Sequence, residues 1–411
     1  MLKYLWKNKV ALFLFLLALW LVPTTIGLPE QSQTESIVTA IGIDKNEDEY
    51  EVSLQYIVPS TSGGVEELKI TTQKGKTVGE AIEFIKLEHG KLSGFAHCRF
   101  LAFNDNACKT SLTENLDYLL RRKTNTNNIV LINTPESAKD LLSISTNLDS
   151  DLYSFLNNAG SSNELRDFHD LKTIGDYYES YFSPVVCMTI NSIDVKEKLS
   201  NSSSSQKSSK NGSDESSGSN SENSNNGESK KEFENKGKQI ILKNDKKLVS
   251  LTEEQSDNLV WFNKKVKRDH FVINNYSEDD ISNIKILFNV HNKIYTTKAM
   301  FEDKVPHLKV NLKLYVRTGE IFSDNLKQQD YQVFQKRYSN KLVNAMQQEV
   351  ISKMKEAETH FKENNYDVVN CYDTFYKFKN KQLKEYLKNN SKEEFIKNVV
   401  FDYNVEIIQG V

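Results

Sequence analysis

The 411-residue sequence predicts an α+β protein: an N-terminal membrane helix followed by a multi-domain ectodomain of mixed sheets flanked by helices. Three observations predict this class. An unbroken apolar run stands near the N-terminus, other segments alternate apolar and polar residues, and further segments repeat apolar residues at every third or fourth position. The apolar fraction, 38%, is sufficient for folded cores and excludes a wholly disordered chain.

Residues 1–28 are predicted to form a signal-anchor or transmembrane helix. Three lysines precede an unbroken apolar run from Val10 to Val22. Extended to Leu28, the segment is about 19 residues long, which is enough to span a bilayer as a helix. The lysines favour a cytoplasmic N-terminus, so the chain after Leu28 should be extracytoplasmic. The residues predicted to lie in the membrane are Leu12, Phe13, Leu14, Phe15, Leu16, Leu17, Leu19, Trp20 and Leu21.

The end of this segment bears on lipidation. Thr25-Ile26-Gly27-Leu28 resembles a bacterial lipobox, but Leu28 stands where the lipid-bearing cysteine would be. Without a thiol there is no attachment point for a diacylglycerol, and no A-x-A cleavage site follows. We therefore expect no lipidation and a helix that is retained as the anchor.

Residues 29–199 are predicted to form an N-terminal α+β region, and its strands come first. Ile37 to Ile43 is β-branched and apolar, Asp44 to Glu49 has the composition of a polar turn, and residues 50–56 alternate as a strand with one buried face. Ile129 to Ile132 predicts another short strand.

The helices of this region are predicted from their start signals. Thr77-x-x-Glu80 and Ser111-x-x-Glu114 are capping-box patterns, and apolar residues at helical spacing follow each. Thr134-Pro135 predicts an N-cap and a first-turn proline for a helix that runs through Leu142. Arg121-Arg122-Lys123 is predicted to end a helix, where cations suit the helix dipole and the solvent.

Residues 200–238 are predicted to be a disordered linker. The stretch is rich in Ser, Asn, Gly, Lys and Glu and has almost no apolar residues. Such a segment cannot bury enough surface to offset the entropy lost on ordering it. A functional charge tract is the alternative, and mixed-sign polar tracts are more commonly solvated spacers.

Residues 239–411 are predicted to form a C-terminal α+β region with a long helix and a closing strand. Residues 308–316 alternate as a half-exposed strand that Gly319 should end, and a second helical region is expected around Phe375 to Leu387. The long helix is predicted from the spacing of Tyr331, Phe334, Tyr338, Leu342, Ala345, Ile351 and Met354. The core face of the closing strand is predicted to carry Val399, Phe401, Tyr403, Val405 and Ile407.

The residues that carry chemistry in enzymes occur in no recognisable constellation. The seven histidines have no HExxH spacing, and the four cysteines form no CxxC pair, so we predict no catalytic, cofactor-binding or metal-ligating residue. The neighbours His97 and Cys98 are weak evidence for thiol catalysis because such pairs work through space, and Cys98 is better explained as a small core residue. Whether any cysteines form a disulfide is left open. With a net charge of −3, no nucleic-acid footprint is expected.

With these segments laid out, the chain resembles the Ger(x)C family, the C subunits of spore nutrient-germinant receptors (GerAC-like proteins). The segments that carry the resemblance are, in order, Ile37–Lys45, Gly94–Leu101, Asp117–Arg122, Ile129–Asn133, Ser137–Leu142, Asn244–Leu251 with Trp261, the long helix, and Asn404–Gly410. The chain departs from the family pattern at Leu28, where the lipid-modified cysteine is missing, and in its longer linker.

The resemblance implies a non-catalytic receptor subunit with a three-domain α+β ectodomain on the outer face of the spore inner membrane. It implies assembly with a multi-spanning A subunit and a transporter-like B subunit, and a need for this chain in nutrient-triggered germination. It supplies no catalytic residue, and it leaves open whether the chain binds a small molecule directly.

Two other classes of function are weighed against this reading. An envelope-anchored extracytoplasmic solute-binding protein would need an apolar pocket with convergent polar groups. A secreted hydrolase would need a nucleophile and a base within hydrogen-bond reach, which the sequence does not indicate. Exposed apolar patches without an apolar pocket would favour assembly with other subunits.

Overall fold

The computed structural model describes residues 17, 36–58, 67–89, 95–121, 127–144, 171–183, 185, 187–197, 231–234, 236–278, 281–322 and 338–410. The predicted anchor lies outside these residues apart from Leu17, and so does the linker from 200 to 230. None of the helices that the structure describes is long and apolar enough to cross a membrane.

The first part of the chain alternates strands with short helices. Its elements are β1 (Ile37–Asn46), β2 (Glu49–Val58), β3 (Glu67–Gly75), α1 (Val78–His89), β4 (Phe100–Asn104), α2 (Asp105–Lys109), α3 (Leu112–Leu120), β5 (Val130–Thr134), α4 (Ala138–Ile144), α5 (Ile174–Tyr181), β6 (Cys187–Ser192) and β7 (Asp194–Glu197).

The second part combines long strands with a long helix. Its elements are β8 (Lys231–Glu234), β9 (Gln239–Lys243), β10 (Lys246–Ser250), α6 (Glu253–Val260), β11 (Asp269–Glu278), β12 (Ile281–Glu302), β13 (Val305–Phe322), α7 (Asn340–Glu363), α8 (Cys371–Phe378), α9 (Asn380–Tyr386), α10 (Phe395–Asn398) and β14 (Val400–Gln409). The α+β class with several sheets is therefore confirmed.

The larger sheet has eight strands in the order β10-β9-β6-β5-β4-β1-β2-β3. The four central strands, β6, β5, β4 and β1, are parallel, and antiparallel pairs flank them on both sides. One face packs against α1, α2, α3 and α5, and the other packs against α4. Because both faces are covered, the central strands are apolar almost throughout, as parallel strands usually are.

This sheet crosses the predicted domain boundaries. Strands β9 and β10 lie within the predicted C-terminal region 239–411, but they form one side of the first sheet through the pairing of β9 with β6. Strand β8 lies inside the segment 200–238 that was predicted to be disordered, and it pairs with β7. The two ends of the linker therefore meet in an antiparallel hairpin, with Glu197 opposite Lys231.

The smaller sheet has four strands in the order β11-β12-β13-β14. Strands β12 and β13 form one long hairpin whose two-residue turn, Asp303-Lys304, has φ values of +48° and +66°. Positive φ at both central residues is the geometry that suits the right-handed twist of a hairpin. One face packs on α7 through its buried side chains Leu342, Met346, Val350, Met354, Ala357 and Phe361. The other face carries alternating exposed residues.

Four local predictions need correction, and the first two concern the C-terminal region. Gly319 does not end β13, which continues to Phe322; the register shifts there, and a Cβ on Gly319 would lie 2.6 Å from the Asn289 amide. Helix α7 begins only after its cap Ser339, so Tyr338 precedes the helix and packs on Phe288, while Tyr331 and Phe334 lie outside the described residues.

The predicted start of α4 and the turn before β2 are also wrong. Thr134 ends β5, and α4 begins at Ala138, where the Asp44 carboxylate accepts hydrogen bonds from the backbone N–H groups of Ala138 (2.7 Å) and Lys139 (3.0 Å). Asp44 therefore belongs to β1 and caps a helix from another element. Only Glu47 and Asp48 form the turn, because the pairing of β1 with β2 continues to Asn46 and Glu49.

Candidate interaction surface

The cysteines of the described structure do not form a reactive thiol pair with His97. All four cysteines are buried and free. Burial raises the pKa of the Cys98 and Cys108 thiols to about 12, so both remain protonated near neutral pH. His97 is exposed whereas its neighbour Cys98 is buried, which separates the pair that thiol catalysis would need. In the part of the chain that the structure describes, no group of His, Cys, Asp or Glu side chains is arranged to hold a metal ion.

The two most deeply buried carboxylates cap helices. Asp44 is 4% exposed, and burial raises its pKa even though it accepts hydrogen bonds from the backbone at the start of α4. Asp367 is also 4% exposed and accepts hydrogen bonds from the backbone N–H groups of Cys371 (2.8 Å) and Tyr372 (2.7 Å) at the start of α8. Burial raises the pKa of Asp367 from 3.8 to about 6. Asp44 adds to the local cap Ser137 of α4, and Asp367 supplies the cap that α8 lacks, so both carboxylates are occupied by backbone N–H groups.

The two sheets meet through a polar joint near the start of β6. The Ser183 hydroxyl donates to the Asp373 carboxylate of α8 at 2.9 Å. Lys243 Nζ donates to the backbone carbonyl of Asn365 at 2.5 Å. Cys187 of β6 packs in the core of the four-stranded sheet. This joint places α8 and the helices after it beside the edge of the first sheet at which β6 begins.

An open groove lies between α6 and α7 and has a volume of about 390 Å³. Most of its lining residues are polar or charged, and they include Glu254, Glu356 and Glu363. Asn258 donates its amide to Glu356 at 3.0 Å, and its buried Oδ1 atom has no hydrogen-bond partner. The groove is an open, acidic cleft and differs from the apolar pocket that a solute-binding protein would need.

Helix α1 presents an apolar patch to the solvent. Phe84 is 43% exposed and Leu87 is 80% exposed, and their spacing of three residues places them on one face of the helix. The opposite face is buried in the first sheet through Val78, Ala81, Ile82 and Ile85. The capping-box prediction is correct in that the Thr77 hydroxyl accepts from the Glu80 N–H at 3.1 Å.

A second exposed surface combines aromatic and basic side chains. Phe182, directly after α5, is 77% exposed, and at the end of α8 Tyr376 is 48% and Phe378 is 73% exposed. The Ser183–Asp373 hydrogen bond joins the two segments that carry them. We call Phe182, Tyr376, Phe378 and the lysines 377, 381, 384 and 388 the lysine–aromatic surface.

Sequence reasoning identified neither surface. The predicted membrane residues Leu12, Phe13, Leu14, Phe15, Leu16, Leu19, Trp20 and Leu21, together with Leu28, lie outside the described residues, and Leu17 is 40% exposed. The periodic pattern of α1 predicts its buried face. Phe84 and Leu87 are apolar residues outside that pattern, and this is the sequence signal that could have indicated the exposed patch. The segment that follows α5 contacts α8 through Ser183 and Asp373, which are 190 positions apart, and no local pattern encodes such a contact.

Comparison with known proteins identifies the class of protein that this fold represents. The N-terminal domain of spore germination proteins matches residues 31–195, and the C-terminal domain described as spore germination B3/GerAC-like matches residues 236–408. The chain therefore belongs to the GerAC-like family of germinant-receptor C subunits, as the sequence predicted.

One solved structure shares the fold. It is titled the crystal structure of the GerBC protein, and the alignment covers 91% of this chain and 99% of that one, with 14% identity and a TM-score of 0.51. No curated protein sequence matches this chain. The family matches place their junction between residues 195 and 236, although the first sheet itself continues to Ser250.

Proposed function

We propose that this chain is the non-catalytic C subunit of a spore germinant receptor and that nutrient-triggered germination requires it through assembly with the receptor's A and B membrane subunits. The observation that carries the proposal is the succession of two germination-family domains along residues 31–195 and 236–408. The N-terminal segment 1–28 would anchor the chain at the outer face of the spore inner membrane.

The apolar patch on α1 supports assembly as the mode of action. Phe84 and Leu87 are exposed side by side, and such neighbouring apolar residues on a folded surface are typical of protein contacts. Glu80, Glu83 and Glu88 lie on the same helix, and Lys86 pairs with Glu83 at 3.1 Å. An apolar patch with acidic neighbours suits a protein partner better than an anionic membrane surface, which would repel the carboxylates.

The alternative, an envelope-anchored solute-binding protein, finds less support. Such proteins enclose their ligands in mainly apolar pockets with a few convergent polar groups. The groove between α6 and α7 is open and is lined by three glutamates, so it would suit at most a cationic ligand. The exposed apolar residues favour a receptor subunit over a solute-binding protein.

Spores that lack this chain test the proposal. They should respond poorly to nutrient and should germinate normally when a treatment bypasses the receptor, because the lesion lies upstream of core rehydration. Germination is measured by the loss of optical density and by the release of small solutes from the spore core. Spores in which the gene is restored are the control. Normal nutrient germination without this chain would contradict the proposed function.

A further inference from the structure

The segment from Tyr376 to Lys388 is the most basic exposed part of the described structure that also carries exposed aromatic residues. It contains five lysines and one glutamate, in a chain whose net charge is −3. Lys377, Lys381, Lys384 and Lys388 are exposed, and none of the ion pairs between described residues involves them. Their charge is therefore available to an external partner.

The lysines of α9 are displayed on one side. Lys381, Lys384 and Lys388 follow one another at spacings of three and four residues, which places them on a single helical face continued into the turn after α9. Leu383, on the opposite face, is 1% exposed and packs into the core. The helix is thus fixed by an apolar contact on one side and presents three ammonium groups on the other, with the single Glu385 carboxylate beside them.

This segment lies near the edge of the larger sheet at which the chain enters the fold. Strands β1, β4, β5 and β6 are parallel, so they begin at the same edge of the sheet. The chain from the predicted anchor enters at this edge, at Ile37, three strand positions from Cys187 at the start of β6. The Ser183–Asp373 hydrogen bond ties α8 to that start. A membrane that holds residues 1–28 would therefore lie on the side where the lysine–aromatic surface is found.

We propose that the lysine–aromatic surface docks onto the surface of an anionic bilayer. Lysines near an anionic lipid surface are attracted to it, while their methylene stems and neighbouring aromatic rings enter the headgroup region. Phe378 and Phe182, each more than 70% exposed, supply the apolar contact. Docking would fix the orientation of the ectodomain on the membrane. It does not require the A and B subunits, and so it goes beyond the proposed function.

The four buried cysteines allow a selective test on the full chain. An introduced Asn389→Cys, beside Lys388 and exposed, can be labelled with a fluorophore while the native thiols remain protected by burial. The full chain is reconstituted in nanodiscs that carry a headgroup quencher and either phosphatidylglycerol or only phosphatidylcholine. Asp48→Cys, in the turn between β1 and β2 at the other end of β1, provides the reference label.

We expect the label at position 389 to be quenched several-fold more strongly in anionic than in neutral nanodiscs. The label at position 48 should change little. Raising the salt from about 0.1 M to about 1 M should remove the difference, because the Debye length falls from about 10 Å to about 3 Å. Replacing Lys377, Lys381, Lys384 and Lys388 with Gln should also remove it, and a Phe378→Ser variant should reduce it.

A matched variant controls for net charge. Replacing the exposed Lys74, Lys76, Lys298 and Lys309 with Gln removes the same charge from other surfaces and should leave the quenching unchanged. Circular dichroism checks that each variant is folded. Equal quenching in neutral and anionic nanodiscs would overturn the proposal, as would quenching that survives the loss of the four lysines. Quenching that appears only after the A and B subunits are added would also overturn it, because a protein would then cover this surface.

Discussion

Single buried polar residues determine several helix positions in this protein. Asn370, which precedes α8, has a positive φ of 54° and makes no side-chain capping bond. The helix start therefore has uncapped backbone N–H groups. The carboxylate of Asp367 accepts hydrogen bonds from two of them, those of Cys371 (2.8 Å) and Tyr372 (2.7 Å). The same residue adjoins the joint between the two sheets, because Lys243 of β9 bonds to the neighbouring Asn365.

The raised pKa of Asp367 predicts a pH-dependent contribution to stability. Burial raises this pKa from 3.8 to about 6, so between these values the folded state holds a proton that the unfolded state has lost. Stability from this group is therefore greatest below about pH 4 and decreases as the pH rises towards about 6, by up to about 3 kcal/mol. In Asp367→Asn this dependence should be absent.

Urea unfolding of the two proteins at several pH values measures the effect. The free energy of unfolding of the wild type minus that of Asp367→Asn should be larger at pH 4 than at pH 7. Asp303→Asn, in the exposed hairpin turn, is the control for removing a carboxylate that lies outside the core. A difference that is the same at pH 4 and pH 7 would show that the Asp367 carboxyl titrates alike in both states.

A single inserted residue also explains where prediction from sequence fails. In β12 the even-numbered positions from Ile284 to Val290 are buried, but after the register shift between Val290 and Asn292 the buried positions are the odd-numbered Lys293, Tyr295 and Ala299. This bulge turns Lys293 inward, where it is 1% exposed and donates to the Val260 carbonyl at 2.6 Å, and turns Ile294 outward. Period-two patterns cannot place these residues, because the pattern changes phase inside the strand.

At the scale of elements, the closing strand carries more stability than its length suggests. Strand β14 pairs in parallel with β13 over ten positions, from His307 opposite Val400 to Val316 opposite Gln409. Val399, Phe401 and Val405 are buried in the core of the smaller sheet, and Tyr403 packs against it. The alternation in the sequence predicted this face correctly, since a strand with one buried face retains its period of two.

Removing residues 399–411 should therefore prevent stable folding. Burial of such side chains contributes roughly 1.5–3 kcal/mol each, so their combined loss is comparable with the whole stability of a domain, about 5–15 kcal/mol. Immunoblots of spores should show little protein, and nutrient germination should be poor. Deleting Val411 alone is the control. Normal accumulation and germination of the truncated protein would show that β14 is dispensable.

The linker should tolerate shortening within limits that the β7–β8 hairpin defines. Each halving of a loop changes the free energy of closure by only about 0.6 kcal/mol, and Glu197 and Lys231 already lie opposite each other. Deleting residues 200–228 should leave protein level and germination rate nearly unchanged. Extending the deletion through β8 should lower the protein level, because Phe233 packs on the core beside α4. Loss of germination at a normal protein level after the shorter deletion would indicate a specific partner for the tract.

Element types were more predictable than their pairing. Local patterns predict the caps Ser111 and Thr77, the strands around Ile43 and Ile132, and the long helix α7. The return of β9 to the first sheet does not, because its partner β6 lies on the far side of the linker. The candidate surfaces depend on the same long-range pairing, which explains why their residues were not predicted.

At the scale of the whole molecule, the predicted anchor should remain attached to the folded part. Leu28 replaces the cysteine that lipidation and the associated cleavage would need. Mass spectrometry of the membrane-extracted protein should therefore find an unlipidated peptide that begins at Met1. A mature N-terminus near residue 28 would contradict this prediction.

If the chain works as part of a receptor assembly, it should co-purify from spore membranes with the other subunits. The tagged full chain should bring down the A and B subunits, and Phe84→Ser with Leu87→Ser should reduce their recovery several-fold at an unchanged protein level. Leu248→Ser with Ile294→Ser, which alters exposed apolar residues elsewhere, should leave it intact. Recovery of the tagged chain without either subunit, from spores in which both subunits are present, would contradict the account.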